Sequence, residues 1–113
     1  IFVLESDGNF EILMPQLIEC GITAHIPVEA AAGMDSVKLL KEYGDDLALI
    51  GGIDKRCFLG GKEEIKRELD KKLPLIVENR GCIPTIDGDL GTDISLENLL
   101  YYMESKSDYL GRS

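Results

Sequence analysis

Apolar positions along the chain alternate between short continuous runs and helical spacing. The runs near 1–5, 22–28, 47–50 and 82–86 have the length and composition of buried strands. The segment near 95–105 has the clearest helical period, with apolar residues at i, i+3, i+4 and i+7 after the capping residue Ser95. Another helix is expected from Asp35, which caps it, to Tyr43. Strands and helices in strict alternation predict parallel strands with right-handed crossovers, and therefore an α/β fold of four consecutive βα units.

Proline and glycine divide these elements. Pro15 is expected in the first turn of the first helix, where its missing N–H costs little, and Pro74 is expected to end or restart the third helix. The pair Gly51-Gly52 is expected to break the third strand in a tight turn. The charged helical face from Lys62 to Lys72 is interpreted as solvated surface.

Composition narrows the class of protein. The chain has 113 residues, of which 44% are hydrophobic and 29% charged, which suits one modest domain. A net charge of −9 disfavours nucleic acid as a partner, and no apolar run approaches the roughly 18 residues that a membrane span needs. Three widely spaced cysteines indicate neither a disulfide framework nor a zinc knuckle, and they favour a reducing cytoplasm.

Candidate chemistry follows from the rule that ligand sites of parallel α/β folds lie at the carboxyl ends of the strands. The carboxylates expected there, and taken as candidate catalytic residues, are Glu5, Asp7, Glu29 and Asp87. The candidate substrate-binding residues are Asn9, Gly51, Gly52, Asp54, Lys55, Arg56 and Gly88. Each acid alone suits a turn or a helix cap, but together they could supply acid–base pairs, bind a metal or raise one another's pKa. His25, inside the second strand, is interpreted as a hydrogen-bonded interior residue and not as a ligand or base.

Five short motifs, in register over nearly the whole chain, resemble the carboxy-terminal portion of the uroporphyrinogen decarboxylase superfamily. They are Glu5-Ser6-Asp7-Gly8-Asn9, Ala32-Gly33-Met34-Asp35, Gly51-Gly52-Ile53-Asp54, Ile83-Pro84-Thr85-Ile86-Asp87 and Ser95-Leu96-Glu97-Asn98. The resemblance implies a (β/α)₈ TIM barrel with its cleft at the carboxyl rim. Residues 1–113 would then form a single partial domain, the carboxy-terminal half of that barrel without its amino-terminal half.

The resemblance implies two chemistries. One is decarboxylation of acetate side chains on uroporphyrinogen, a carboxy-lyase step of porphyrin biosynthesis that needs no cofactor. The alternative is methyl transfer between a corrinoid and a thiol, assisted by zinc on a His-x-Cys pair and a later Cys. Glu5, Asp7 and Gly88 stand at those three positions here, and the decarboxylase branch places a His where this chain has Gly88. Glu5 and Asp7 would be the ligands if a divalent metal bound in another manner.

A further alternative is a non-catalytic module, either a half-barrel or a flavodoxin-like sheet. Strand order separates the two, because a flavodoxin-like sheet has a doubly wound order. A barrel takes about 250 residues, so we expect the missing half or a second copy of the chain as partner, and little activity from this chain alone. A tetrapyrrole with a carboxylate on every side chain would also require Lys55, Arg56 and further basic groups to offset the acidic rim.

Overall fold

The strands form one parallel sheet in the computed structural model, which describes residues 1–111. They are β1 (Val3–Glu5), β2 (Ala24–Ile26), β3 (Ala48–Ile53) and β4 (Cys82–Ile86). Neighbours in the sheet are neighbours in the chain, in the order β1-β2-β3-β4. The prediction of an α/β fold with four parallel strands is confirmed. The order has no point at which it reverses, so the doubly wound order of the flavodoxin-like alternative is absent from residues 1–111.

Helices connect the strands and follow the last one. They are α1 (Met14–Glu19), α2 (Ser36–Tyr43), α3 (Lys62–Asn79) and α4 (Leu96–Tyr109). Short 3₁₀ turns at Glu11–Leu13, Ala30–Ala32 and Lys55–Gly60 precede the first three helices. Right-handed crossovers between successive parallel strands carry the connecting helices to one face of the sheet. None of the helices within 1–111 has the length and apolar content to cross a membrane.

The helix starts follow the expected chemistry. The side chain of Asp35 accepts hydrogen bonds from the backbone N–H groups of Val37 and Lys38, which caps α2. Ser95 caps α4 in the same way through the N–H of Asn98, at 3.2 Å. Pro15 lies in the first turn of α1, as predicted. These local signals therefore fix where the helices begin.

Two predictions about helix and strand ends are wrong. Pro74 does not end the third helix, because α3 continues through it to Asn79. The neighbouring side chains Leu73 and Ile76 are buried in the core, and this burial outweighs the one backbone hydrogen bond that proline removes.

The pair Gly51-Gly52 does not break the third strand either, because β3 runs on to Ile53. Gly51 and Gly52 have φ angles of 124° and 89°. A Cβ at position 51 would lie 2.7 Å from the backbone N of Val28, and one at position 52 would lie 2.6 Å from Cβ of Ser36. The two glycines therefore allow neighbouring segments to approach the end of β3.

The last helix presents its apolar stripe to solvent. Leu96, Leu100 and Met103 are 69%, 51% and 55% exposed. Tyr102 of α4 is buried in the core, with its ring centroid 5.1 Å from that of Phe58, and Leu99 packs against the core as well. A stripe with this period ordinarily faces a core, so the part formed by Leu96, Leu100 and Met103 is an apolar surface without a partner among residues 1–111.

The sheet face without helices is also apolar. In the strand register Val3 pairs with Ala24, and Ile50 pairs with Ile83. Val3 and Ile83 are exposed, whereas Leu49 on the opposite face of β3 is fully buried in the core beneath the helices. Parallel sheets are ordinarily covered on both faces, and one face of this sheet lacks its cover within residues 1–111.

Candidate functional site at the carboxyl rim

Asp87 is the central contact of the rim. It follows β4, is 1% exposed, and extends the ladder by donating its backbone N–H to the carbonyl of Ile53. One carboxylate oxygen accepts the N–H of Ala30 at 2.8 Å, and the other accepts the N–H of Lys55 at 2.9 Å. Ala30 and Lys55 each begin a 3₁₀ turn, after β2 and β3 respectively. Asp87 therefore ties together the loops that leave three neighbouring strands, which gives it a positioning role.

A second acid of the rim is neutralised by its neighbour. Asp54 accepts two hydrogen bonds from Nε and Nη2 of Arg56, at 2.9 and 2.7 Å, and a third from the backbone N–H of Arg56. The Arg56 guanidinium lowers the pKa of Asp54, partly against the effect of burial. Asp54 and Arg56 thus form a closed ion pair on the helix side of the rim.

Beneath this pair lies a buried ion pair that the sequence interpretation missed. Lys72 forms a salt bridge with Glu68, with side-chain exposures of 9% and 14%. Lys72 also donates to the carbonyl of Gly52 at 2.6 Å, and Glu68 accepts the N–H of Asp54 at 2.9 Å. The interpretation of this helical face as solvated is therefore wrong for Glu68 and Lys72. The available signal was their i, i+4 spacing on a helix that must pack on the sheet.

Two further acids meet across the ends of β1 and β2. Interaction with the Asp7 carboxyl group is the largest cause of a raised pKa at Glu29. Partial burial of Glu29 and repulsion from Asp7 and Asp87 raise that pKa further, while the N–H of Gly8 opposes the shift. Glu29 therefore holds its proton to a higher pH than an isolated glutamic acid does.

A cleft of about 310 Å³ opens beside this pair of acids. It is lined by the acids Glu5, Asp7 and Asp89 together with Ile26, Pro27, Thr85, Ile86 and Gly88. Its polar wall consists of carboxylates from the ends of β1 and β4, and its apolar wall comes from β2 and β4. The expectation that side chains from separate strand ends converge at one rim holds for these residues.

The other candidate residues are distributed around the cleft. Lys55 extends over Gly88, because a Cβ at position 88 would lie 2.9 Å from its Nζ atom. Asn9 accepts the N–H of Glu11 at 3.1 Å and so caps the turn after β1. Gly51 and Gly52 are buried within β3, and the carbonyl of Gly52 accepts a hydrogen bond from the side chain of Lys72. Substrate binding by these residues stays a prediction.

The zinc–thiolate site of the methyltransferase branch does not fit these residues. Carboxylates and a glycine occupy the three ligand positions, and the cysteines lie elsewhere: Cys20 follows α1, Cys57 follows β3 and Cys82 begins β4. Burial raises the pKa of the Cys57 thiol to about 12 and that of Cys82 to about 11. Within residues 1–111, no group of three or more His, Cys, Asp or Glu is arranged to hold a metal ion.

His25 lies in the interior, as interpreted from the sequence, but the expectation that it is hydrogen-bonded there is wrong, because neither ring nitrogen has a hydrogen-bond partner among residues 1–111. It is fully buried, and its ring centroid is 3.6 Å from that of Phe10, under the helices. Burial lowers the pKa of His25 to about 4, so the imidazole is neutral at physiological pH. It does not line the rim cleft.

Comparison with models of known protein families, with curated proteins and with solved structures finds no match for this chain.

Proposed function

We propose that this chain is half of a (β/α)₈ barrel of the uroporphyrinogen decarboxylase superfamily, and that its rim removes a carboxylate as CO₂ from a pyrrolic acetate or a related substrate. The observation that carries the proposal is the juxtaposition of the acids Asp7 and Glu29 at the ends of β1 and β2, where Asp7 lines the cleft and the pKa of Glu29 is raised. The sequential parallel sheet and the five motifs in register support the barrel.

The pair suits decarboxylation because that reaction needs a proton donor. The bond between the methylene carbon and the carboxylate carbon breaks, CO₂ leaves, and the electron pair stays on the methylene carbon. That carbon then takes a proton to become a methyl group. Glu29, with its raised pKa, is the group of the rim that we assign as donor, directly or through Asp7, and solvent then returns the proton.

Ion pairs at the rim reduce the repulsion between its acids and an anionic substrate. Asp54 is paired with Arg56, Glu68 is paired with Lys72, and Glu29 holds its proton to a raised pH. The negative charge of the rim is therefore smaller than the count of acids in the sequence suggests. In the cleft itself a substrate carboxylate would meet Glu5, Asp7 and Asp89, with Lys55 close by.

A partner must cover the apolar face of the sheet and the stripe on α4, and we propose that it is the complementary half of the barrel. Native mass spectrometry and small-angle scattering of this chain alone test this. The half-barrel predicts an association, either with a separately supplied amino-terminal half or, failing that, with a second copy. A compact monomer at all concentrations would contradict it.

The reaction itself is tested by incubating the assembled protein with uroporphyrinogen under reducing conditions. The products are oxidised to porphyrins and separated by their number of carboxylates, and CO₂ is collected from substrate labelled in the acetate carboxyls. Glu29→Gln should lower kcat by 10²-fold or more, on the order expected for loss of a general acid. Glu78→Gln, an exposed change near the end of α3, is the matched control. The proposal fails if the assembled protein releases no CO₂ above the rate without protein.

A further inference from the structure

Lys55 is held at the edge of the cleft by its backbone. Its N–H is bound by the buried carboxylate of Asp87, which places the start of the 3₁₀ turn beside the loop after β4. The side chain then runs toward Gly88, a lining residue of the cleft. Its Nζ atom lies 2.9 Å from the position that a Cβ at residue 88 would occupy.

The ammonium group of Lys55 is also free. Within the described part of the chain, the neighbouring cations are engaged: Arg56 with Asp54, and Lys72 with Glu68. The polar contact of Lys55 is made by its backbone, and among residues 1–111 its Nζ has neither a hydrogen bond nor a salt bridge. A half-buried cation without a partner, beside a cleft of about 310 Å³, is available to an anionic ligand.

Gly88 leaves space for the ammonium group at this edge of the cleft. Gly88 does not have a left-handed φ, so its backbone accepts other residues without strain. A Cβ at position 88 would stand 2.9 Å from Nζ, the flexible end of the Lys55 side chain, so a larger residue would displace the ammonium group without disturbing the fold. The absence of a side chain at position 88 thus leaves room for a cation at the cleft edge.

From these contacts we propose that the Lys55 ammonium group binds a carboxylate of the substrate, in the space that Gly88 leaves open. The inference deepens the proposed function, on which it rests, by assigning carboxylic acids as the ligand class of this part of the cleft. The ligand would form a charge-assisted hydrogen bond with Nζ of Lys55 and place its apolar part against Ile26 and Ile86.

The test uses pyrrole-3-acetate as probe and its neutral amide, pyrrole-3-acetamide, as control ligand. Lysines are reductively methylated with ¹³C, which keeps their charge, and the Lys55 signal is assigned from Lys55→Arg. The acetate should shift the Lys55 signal in a saturable manner, whereas the amide should not. Lys55→Ala should weaken acetate binding about fivefold, and Lys41→Ala, at an exposed position of α2, should leave it unchanged.

Gly88→Ala provides a second variant that changes no charge. It should displace the Lys55 ammonium and weaken acetate binding by a smaller factor, with the unfolding midpoint close to wild type. The inference is overturned if the Lys55 signal moves no more than that of Lys41, if the amide shifts it equally, or if Lys55→Ala binds acetate like wild type. Binding through Lys55 without CO₂ release would overturn only the decarboxylation, while wild-type CO₂ release by Lys55→Ala would overturn only the role of Lys55.

Discussion

Replacing Asp87 by alanine separates a positioning role from a purely catalytic one. The change removes an acceptor from two backbone donors, the N–H groups of Ala30 and Lys55, at a site where the carboxylate is 1% exposed. A hydrogen bond to a charged group contributes about 1.5 kcal/mol at the low end of its range, so losing both costs about 3 kcal/mol. That is a large share of a total stability of about 5 to 15 kcal/mol.

The assay is urea unfolding at pH 7, followed by circular dichroism and analysed with a common slope. Asp87→Asn, which keeps one acceptor oxygen, should lose about half as much as Asp87→Ala. Asp89→Ala is the matched control, because this exposed acid lies two residues further on and should change stability by less than about 0.5 kcal/mol.

Amide hydrogen exchange gives a local readout of the same change. In Asp87→Ala the N–H groups of Ala30 and Lys55 should exchange faster, while those in the centre of α3 follow only the global loss of stability. If Asp87→Ala is as stable as Asp89→Ala, with protection at Ala30 and Lys55 unchanged, the positioning role is refuted and the earlier assignment as a catalytic residue gains weight.

Three other substitutions test the remaining contacts. Lys72→Met should destabilise the fold by about 3 kcal/mol, because it leaves Glu68 buried without its counterion. Adding Glu68→Gln to Lys72→Met should recover part of the lost stability, and additive losses in urea unfolding would contradict the pairing. Glu29→Gln should become more stable relative to wild type as pH rises from 4 to 8. The pKa of Glu29 is raised in the folded state, so folded wild type is stabilised at low pH and loses that contribution as pH rises through the pKa. Parallel plots of unfolding free energy against pH for the two proteins would show that the pKa of Glu29 is not raised. Gly52→Ala should cost more than Gly61→Ala, since both have positive φ but only position 52 adds a contact with Ser36; equal losses of unfolding free energy would show that backbone strain alone matters.

The sheet and the helix starts could be predicted because they depend on local chemistry. Apolar runs of strand length, the cap at Asp35 and the cap at Ser95 act within a few residues, and the structure contains each of them. The end of β3 could not be predicted, because Gly51 and Gly52 are needed by segments that pack against the strand. In the sequence, a glycine that forms a turn cannot be told from a glycine that lets two segments of the backbone approach each other closely.

The roles of the rim acids could be predicted only as a group. Sequence order places acids at the strand ends, but it does not say that Asp87 turns inward to two backbone donors while Glu29 meets Asp7. The two backbone donors to Asp87 lie 57 and 32 residues away from it in the sequence, in the loops that follow two earlier strands. Similarly, the sequence does not distinguish Lys72 from the other lysines of α3. Its buried role is seen only from the hydrogen bond to the carbonyl of Gly52.

The uncovered face of the sheet and the rim cleft share a boundary, which links assembly to function. Ile26 lines the cleft and belongs to the same strand face as Val3, through the pairing of β1 with β2. A partner that covers this apolar face must therefore also wall the cleft on that side. Water is then excluded from Asp7 and Glu29, which strengthens electrostatic interactions at the cleft and favours the protonated form of Glu29. Loss of the partner would open the cleft and weaken the proton donor together, so the same apolar contact that completes the fold would also complete the site.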